Sequence, residues 1–290
     1  FYIGKNQVIK KYNIRRNTHQ KKENAMIYIT GDIHADPKRF STDGFPEQKN
    51  MTKEDFVIIC GDFGLLWDQP QSSREKHEID WLSQKSFTTL FVDGNHENFD
   101  RLNALPIEGW HGGKVHRISD SILHLMRGEM FDLDGISVFA FGGARSHDIK
   151  GLATDAELAR DYTAGILRKS DPHYLGKKKL LHRYDCITPY REEGKSWWRQ
   201  EMPSWEEMEH GLETLKAHGM KANFIITHDG PASDVAILGG GSFQQDPVTK
   251  YLEGIKQAVD YDCWFFGHHH MDRRVDSKDF AFFEQISRIA

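Results

Sequence analysis

Five short apolar segments of this chain each end in a cluster of polar residues. A short apolar run that stops at a turn residue is typical of a buried strand, and glycine in most of the clusters permits a sharp turn. In an α/β sheet, ligands bind at the edge formed by the carboxyl ends of the strands. We therefore expect these polar side chains to meet at one edge of a sheet. The clusters are Gly31-Asp32-Ile33-His34, Gly61-Asp62-Phe63-Gly64, Gly94-Asn95-His96-Glu97, His228-Asp229-Gly230-Pro231 and Gly267-His268-His269-His270.

From Met26 onward, predicted strands alternate with predicted helices, which is typical of a layered α/β domain. Strands at 131–133 and 136–141 flank Asp134-Gly135, a dipeptide that favours a tight hairpin. Together with a strand at 122–126, they predict a second, antiparallel-rich sheet packed on the first. Helices are predicted at 72–84, at 98–104, from Ser204 to about Gly219 and from Asp246-Pro247 onward.

Residues 1–25 differ in composition from the rest of the chain. They carry seven Lys or Arg and one Glu without apolar periodicity, so we expect a disordered basic extension. Met26 directly precedes the first strand and is expected to be the natural start of the protein. An intact-mass measurement that found residues 1–25 attached would contradict this expectation. Residues 26–290 are predicted to form one domain.

A polar segment at about 144–203 is longer than an ordinary loop. We expect it to be an insertion that covers the edge where the polar clusters meet, as a cap. Its Thr154-Asp155-Ala156-Glu157 capping box predicts a helix that ends near Arg168. The pair Trp197-Trp198 is expected to anchor the insertion on the core, with an aromatic wall over the substrate as the alternative.

Charge and hydropathy exclude several kinds of partner. The formal net charge is -5 although residues 1–25 and the insertion are basic, so the core must be strongly acidic. This argues against non-specific nucleic-acid binding, which needs a basic surface. A mean hydropathy of -0.63 and the lack of an apolar run long enough for a bilayer argue against a membrane partner. With only three cysteines and no secretory pattern, we expect a cytoplasmic location.

The residue types in the clusters are those of a catalytic metal site. Side chains at i and i+2 of an extended chain point to the same face, so Asp32 with His34, and His268 with His270, can each reach one site. The donors are oxygen and nitrogen without thiolate, which disfavours structural zinc and suits Mn, Fe or Zn in a catalytic role. Seven donors exceed the need of one ion, and Asp62 could bridge two ions about 3.5–4 Å apart. The predicted ligands are Asp32, His34, Asp62, Asn95, His228, His268 and His270.

The ordered motifs Gly-Asp-x-His, Gly-Asp, Gly-Asn-His-Glu, Thr-His and Gly-His-x-His resemble those of the calcineurin-like metallophosphoesterase superfamily. The resemblance runs from Met26 to about His270, apart from the insertion. It implies an α/β fold, a four-layer α-β-β-α sandwich, that holds two metal ions. It assigns the first ion to Asp32, His34 and His270, the second ion to Asn95, His228 and His268, and both ions to Asp62.

The activity implied by the resemblance is hydrolysis of phosphate esters by a hydroxide that bridges two divalent or trivalent ions. His96 would stabilise the transition state or protonate the leaving oxygen, a step typically worth about 10²–10⁴-fold. The substrate would be a small phosphorylated molecule, a nucleotide or a phosphoprotein, with the mono- or diester preference and the oligomeric state left open. The alternatives are a nuclease of the same superfamily and a non-catalytic binding module. The module ranks last because all the ligands are present.

One motif departs from the family pattern. Many members continue the second motif as Gly-Asp-x-x-Asp-Arg, whereas this chain has Leu65-Leu66 at the last two positions. The acid that orients the histidine and the arginine that grips phosphate must then come from elsewhere. Glu97 or Asp68 is expected to orient His96, and Arg145 or Arg191 is expected to bind phosphate. His269 is expected to point away from the site, and the histidines expected to be surface or structural residues are His111, His116, His124, His147, His173 and His182.

Overall fold

The computed structural model describes residues 25–147, 165–184, 191–241 and 245–290, with the side chains of 180–184 excepted. The predicted basic extension therefore lies outside the described residues, up to residue 24. Most of the helix predicted from Thr154 to Arg168 also lies outside them. The last part of that prediction is wrong, because Ile166–Leu167 is a strand that pairs with another segment of the insertion.

Seven strands form the first sheet: β1 (Ile27–Thr30), β2 (Phe56–Ile59), β3 (Thr88–Phe91), β4 (Ile107–Trp110), β5 (Gly113–Ser119), β6 (Ile122–Leu125) and β15 (Ser287–Arg288). Their order is β15-β1-β2-β3-β6-β5-β4, and β1, β2, β3 and β6 run parallel. Three of the polar clusters therefore follow neighbouring parallel strands at one edge. The segment at 122–126 pairs with β3 in this sheet, so its expected place in the second sheet is wrong.

Six strands form the second sheet: β7 (Glu129–Leu133), β8 (Ile136–Phe141), β11 (Lys221–Thr227), β12 (Asp260–Phe266), β13 (Arg273–Arg274) and β14 (Asp279–Ala281). Their order is β13-β14-β12-β11-β8-β7. The hairpin of β7 and β8 turns at Asp134-Gly135 as predicted. The pairs β8-β11, β11-β12 and β12-β14 are parallel, so the expectation of an antiparallel-rich sheet is wrong. Crossovers that contain helices join β8 to β11 and β11 to β12 and return the chain to the same end of the sheet, whereas the connection from β12 to β14 contains only the short strand β13.

Six described helices connect or cover these strands: α1 (Ser73–Ser83), α2 (Phe99–Leu102), α3 (Tyr174–Tyr184), α4 (Trp205–Ala217), α5 (Ala232–Leu238) and α6 (Pro247–Ala258). Three of the longer helices begin where the sequence predicted them. Ser72 caps α1, Ser204 forms a capping box on α4, and Asp246 forms one on α6. No helix in the described parts of the chain combines the length and the apolar character that a membrane span needs.

Three apolar clusters make the core, and the alternation of side chains along each strand assigns them to layers. Ile58 and Ile226 lie in the cluster between the two sheets. Their chain neighbours Ile59 and Ile225 lie in the outer clusters, where helices cover the sheets. Successive strand residues point to opposite faces, so both sheets are buried on both sides. The result is the four-layer α-β-β-α sandwich that the resemblance implied.

The described part of the insertion forms a small sheet packed against the core. Strand β9 (Ile166–Leu167) runs parallel to β10 (Arg191–Glu192), and a 3₁₀ helix follows at Arg199–Glu201. Trp197 is almost fully buried. Trp198 Nε1 donates a hydrogen bond to Asp100 Oδ2 at 2.9 Å, just beyond the Gly-Asn-His-Glu cluster. The tryptophan pair therefore anchors the insertion, as predicted.

A buried charge cluster ties α5, α6 and β14 together. Lys256 Nζ lies 2.6 Å from both Asp234 Oδ1 and Asp279 Oδ2, and Tyr261 donates a hydrogen bond to Asp279 at 2.9 Å. Burial, reinforced by the charge of Asp279, raises the pKa of Asp234 to about 7, although Lys256 lowers it. An aspartate in an unfolded chain has a pKa of about 3.9.

We expect the contribution of Asp234 to the free energy of unfolding to fall as the pH rises from about 4 to about 7. In that range the unfolded chain has lost the carboxyl proton while the folded protein still holds it, so a rise in pH favours unfolding. Asp234→Asn mimics the protonated carboxyl and should remove this part of the pH dependence. Urea unfolding of both proteins at several pH values measures it. Parallel curves for the two proteins would contradict the prediction.

Candidate metal centre

The structure brings the seven predicted ligands together where the carboxyl ends of the strands of both sheets meet. Two overlapping groups form, and within each group the ligand atoms lie within 4.8 Å of one another. Asp32 belongs to both groups, with His34 and His270 in one and with Asp62 and His228 in the other. Asn95 and His268 complete the set beside His228.

The first group has an unsatisfied oxygen at its centre. His34 Nε2 and His270 Nε2 are 2.9 Å apart, and Asp32 Oδ2 lies 3.2 Å from His270 Nε2 and 3.8 Å from His34 Nε2. Asp32 is fully buried, and among the described residues no donor makes a well-aligned hydrogen bond to Oδ2. A buried oxygen without a donor is costly. Two imidazole nitrogens and one carboxylate oxygen that converge in this way fit a cation.

The second group shows which ring nitrogen of His228 is available. His228 Nδ1 lies 2.7 Å from the carbonyl oxygen of Cys60, which can only accept, so Nδ1 carries the proton. His228 Nε2 then faces Asn95 Oδ1 at 3.1 Å and Asp62 Oδ1 at 3.4 Å. The other oxygen of Asp62 lies 3.7 Å from His34 Nε2 in the first group. Asp62 therefore stands between the two groups.

The electrostatics of the site favour a positive ion. Burial lowers the pKa of His228, but the carboxylates of Asp62 and Asp32 outweigh it and raise that pKa to about 9. The same negative potential favours a metal ion over a proton at this ring when the ion is present. Burial, together with the charge of His228, holds the pKa of His268 well below its usual range. His268 is therefore neutral, which is the form of imidazole that binds metals.

Four of the predicted ligands have a backbone conformation that residues other than glycine rarely adopt. The φ angles are positive at His34 (44°), Asp62 (46°), His268 (64°) and His270 (50°). Such conformations cost about 1–3 kcal/mol each and persist only where the surroundings enforce them. These four are half of the eight described non-glycine residues with positive φ, and their meeting at one place indicates a functional site.

Glycines in the motifs make room for ligands that come from other strands. A Cβ atom on Gly61 would collide with the imidazole of His228, and one on Gly94 would collide with the carboxylate and backbone of Asp62. A Cβ atom on Gly267 would collide with Asp32. These three glycines are therefore required by packing between clusters, and at Gly61, where φ is +100°, by the turn as well.

His96 lies at the rim of the site and outside both ligand groups. Its backbone N–H donates to Asp62 Oδ1 at 2.7 Å, and its ring centre is 5.3 Å from that of His34. The neighbouring Glu97 is buried and accepts hydrogen bonds from the backbone N–H groups of Phe63 and Gly64 at 2.7 and 3.1 Å. Glu97 therefore holds the loop that carries Asp62. Burial, together with the charge of Asp62, raises the pKa of Glu97 to about 8.

The other predicted contributors, two arginines and an aspartate, lie in three different segments of the chain. Arg145 is half-buried and directly precedes Ser146, whose hydroxyl accepts a hydrogen bond from Asn95 Nδ2. Arg191 is half-buried in β10 of the insertion. Asp68, the second residue expected to orient His96, has its carbonyl oxygen 2.6 Å from Arg101 Nη1. A contact of either arginine with phosphate stays a prediction.

Two of the remaining histidines, His269 and His147, lie close to His268 in the structure. His269 donates a hydrogen bond to Asp229 Oδ1 at 2.9 Å, so it orders the loop, and its ring centre lies 5.1 Å from that of His268. His147, expected to be a surface or structural residue, is exposed, but its ring centre lies 5.0 Å from that of His268. The sequence places His147 at the start of the insertion but gives no other indication that it lies near His268.

Sequence reasoning also missed a buried ion pair beneath the Gly-Asn-His-Glu cluster. Arg127 Nη2 lies 2.5 Å from Asp93 Oδ2, and His124 Nε2 lies 3.1 Å from Asp93 Oδ1. The Arg127 guanidinium and the His124 hydrogen bond outweigh burial and hold the pKa of Asp93 well below its usual range. The charged Asp93 therefore fixes the start of the loop that carries Asn95.

Comparisons with known proteins agree with this geometry. The family model for calcineurin-like phosphoesterases matches residues 25–272. One curated relative is the lariat debranching enzyme A of Xenopus laevis, which is 24% identical over 138 residues. The match covers 43% of this chain and 24% of the length of that relative. Because the family model covers most of the chain, including all five polar clusters, this protein belongs to the calcineurin-like phosphoesterase family.

Proposed function

We propose that this protein hydrolyses phosphate esters with the help of two metal ions held at the candidate metal centre. The family supports metal-dependent phosphoester hydrolysis in general. The observation that carries the two-ion proposal is the position of Asp62, whose oxygens lie 3.4 Å from His228 Nε2 and 3.7 Å from His34 Nε2. One carboxylate that faces both ligand groups can serve an ion in each.

The proposed ligands divide as the resemblance implied. Asp32, His34 and His270 would hold the first ion, Asn95, His228 and His268 the second, and Asp62 both. The set contains imidazole, carboxylate and amide donors, which suits Mn, Fe or Zn. When bound, such a pair of ions supplies activation of water and neutralisation of charge on the phosphoryl oxygens.

The protein's own residues supply orientation and proton transfer. His96 is the proposed catalytic histidine, because it is half-buried beside His34 and outside the ligand groups, where it can reach a substrate oxygen. It would stabilise the transition state or protonate the leaving oxygen. Arg145, beside the loop of Asn95, and Arg191, in the insertion, are the proposed phosphate-binding cations.

The proposed substrate is a small phosphorylated molecule, a nucleotide or a phosphoprotein, and a phosphatase and a phosphodiesterase activity are both candidates. A nuclease of the same family is less favoured, because a formal net charge of -5 does not attract a polyanion such as nucleic acid. The activity of the named relative belongs to that protein, since the match spans only part of it. A cytoplasmic location stays a prediction from the scarcity of cysteine.

His96→Ala should lower kcat/KM about 10²–10⁴-fold on the best ester without loss of bound metal, because the ring provides proton transfer and no ligand. The measurement is hydrolysis of a panel of mono- and diesters by protein reconstituted with Mn²⁺, with metal content determined in parallel. His218→Ala is the control, since that ring bonds Thr214 on α4. A fully loaded wild-type protein that hydrolyses none of the esters would end the proposal.

Gly94→Ala should sharply reduce metal binding, because a Cβ atom there collides with Asp62, the proposed shared ligand. Gly109→Ala is the matched control, since a Cβ atom at that strand position meets open space. Calorimetric titration of metal-free protein with Mn²⁺ compares the two variants. Equal affinity in Gly94→Ala and Gly109→Ala would show that Asp62 is not a ligand.

A further inference from the structure

The end of the insertion reaches the loop that carries Asn95 through a buried glutamate. Glu201, in the 3₁₀ helix Arg199–Glu201, is fully buried. Its carboxylate accepts hydrogen bonds from the backbone N–H of Ser146 at 3.0 Å and from Ser146 Oγ at 2.7 Å. Burial of a carboxylate is costly unless hydrogen-bond donors surround it. A buried glutamate in a connecting segment therefore suggests a specific role.

The hydrogen bonds from Glu201 to Asn95 run in one direction. The Ser146 hydroxyl donates its hydrogen bond to Glu201 Oε2. The lone pairs of Ser146 Oγ then accept a hydrogen bond from Asn95 Nδ2, at 3.1 Å. With its NH₂ group turned to Ser146, Asn95 presents Oδ1 to the metal centre, 3.1 Å from His228 Nε2. The reversed amide would present NH₂, which cannot bind a metal.

We propose that Glu201, acting through Ser146, is a positioning residue that turns the amide oxygen of Asn95 toward the second metal ion. The proposal rests on the proposed function, because it takes Asn95 to be a ligand. It also assigns a role to the insertion, whose last segment contacts Ser146 and through it Asn95.

Other contacts hold Glu201 in place for this role. The backbone N–H of Ala144 donates to the carbonyl oxygen of Glu201 at 3.1 Å. Arg127 Nη2 donates to the carbonyl oxygen of Gln200 at 2.7 Å, and the same guanidinium binds Asp93, two residues before Asn95. The segment of Glu201 is therefore linked to the loop of Asn95 through Ser146 and, separately, through Arg127.

Ser146→Ala should weaken one of the two Mn²⁺ binding events about 10–100-fold, the usual effect of losing a group that orients a ligand. Glu201→Gln should do the same, because the introduced amide donates to Ser146 and reverses the direction of the hydrogen bonds. In the Asn95→Asp background the same Glu201→Gln change should instead strengthen the affinity, since a carboxylate at position 95 can accept from Ser146 only in the reversed direction. Ser196→Ala is the control, because that hydroxyl lies in the insertion and accepts from Glu192.

The experiment is calorimetric titration of the metal-free full chain with Mn²⁺, with thermal unfolding of each metal-free variant beside it. Weakening in both single variants, together with tighter binding in Asn95→Asp with Glu201→Gln than in Asn95→Asp alone, supports the proposal, because a merely structural role of Glu201 would not change sign with the residue at position 95. Unchanged affinity in Ser146→Ala, or a double variant that binds no more tightly than Asn95→Asp alone, overturns it while wild-type metal binding stands. A wild-type chain that binds no Mn²⁺ overturns the proposed function and this proposal together.

Discussion

Three buried ionisable side chains where the two sheets meet, Asp32, Asp62 and His228, are the constraint on which the rest of the structure depends. Each is held by the backbone of another strand end. Asp32 accepts from the N–H of His268, Asp62 accepts from the N–H of His96, and His228 donates to the carbonyl of Cys60. The ligands therefore join the loops of both sheets to each other. Buried charges are tolerated only with such partners, so the loops cannot move independently of the site.

The rigidity of the sandwich sustains this arrangement. Positive φ angles at four proposed ligands raise the energy of the folded state, and the apolar clusters on both faces of each sheet offset that cost. The glycines of the motifs also help to form the site. They let a ligand from one strand end pack against the backbone of the next, which brings donors from five strand ends into one site.

The insertion contacts the core at two places near the candidate metal centre. Its tryptophans pack against the core near Asp100, and its 3₁₀ helix carries Glu201 into the interior beside Ser146. This segment lies far from the Gly-Asn-His-Glu cluster in sequence but borders it in space. If Glu201 positions Asn95 as proposed, a change in the insertion alters the metal centre without touching a proposed ligand.

The sequence by itself determined the kinds of element and the capping box at Ser204, and it predicted the residues that meet at the candidate metal centre, because those signals are local: apolar runs, capping side chains and polar clusters after strands. It did not determine that Ile122–Leu125 joins the first sheet or that the second sheet is mainly parallel, because strand pairing depends on crossovers. The ion pair of Asp93 with Arg127 and the contact of Glu201 with Ser146 were also decided by tertiary structure alone. Contacts between residues 34 and 55 positions apart leave no periodic or compositional trace in the chain, and packing alone imposes the left-handed backbone of the ligands.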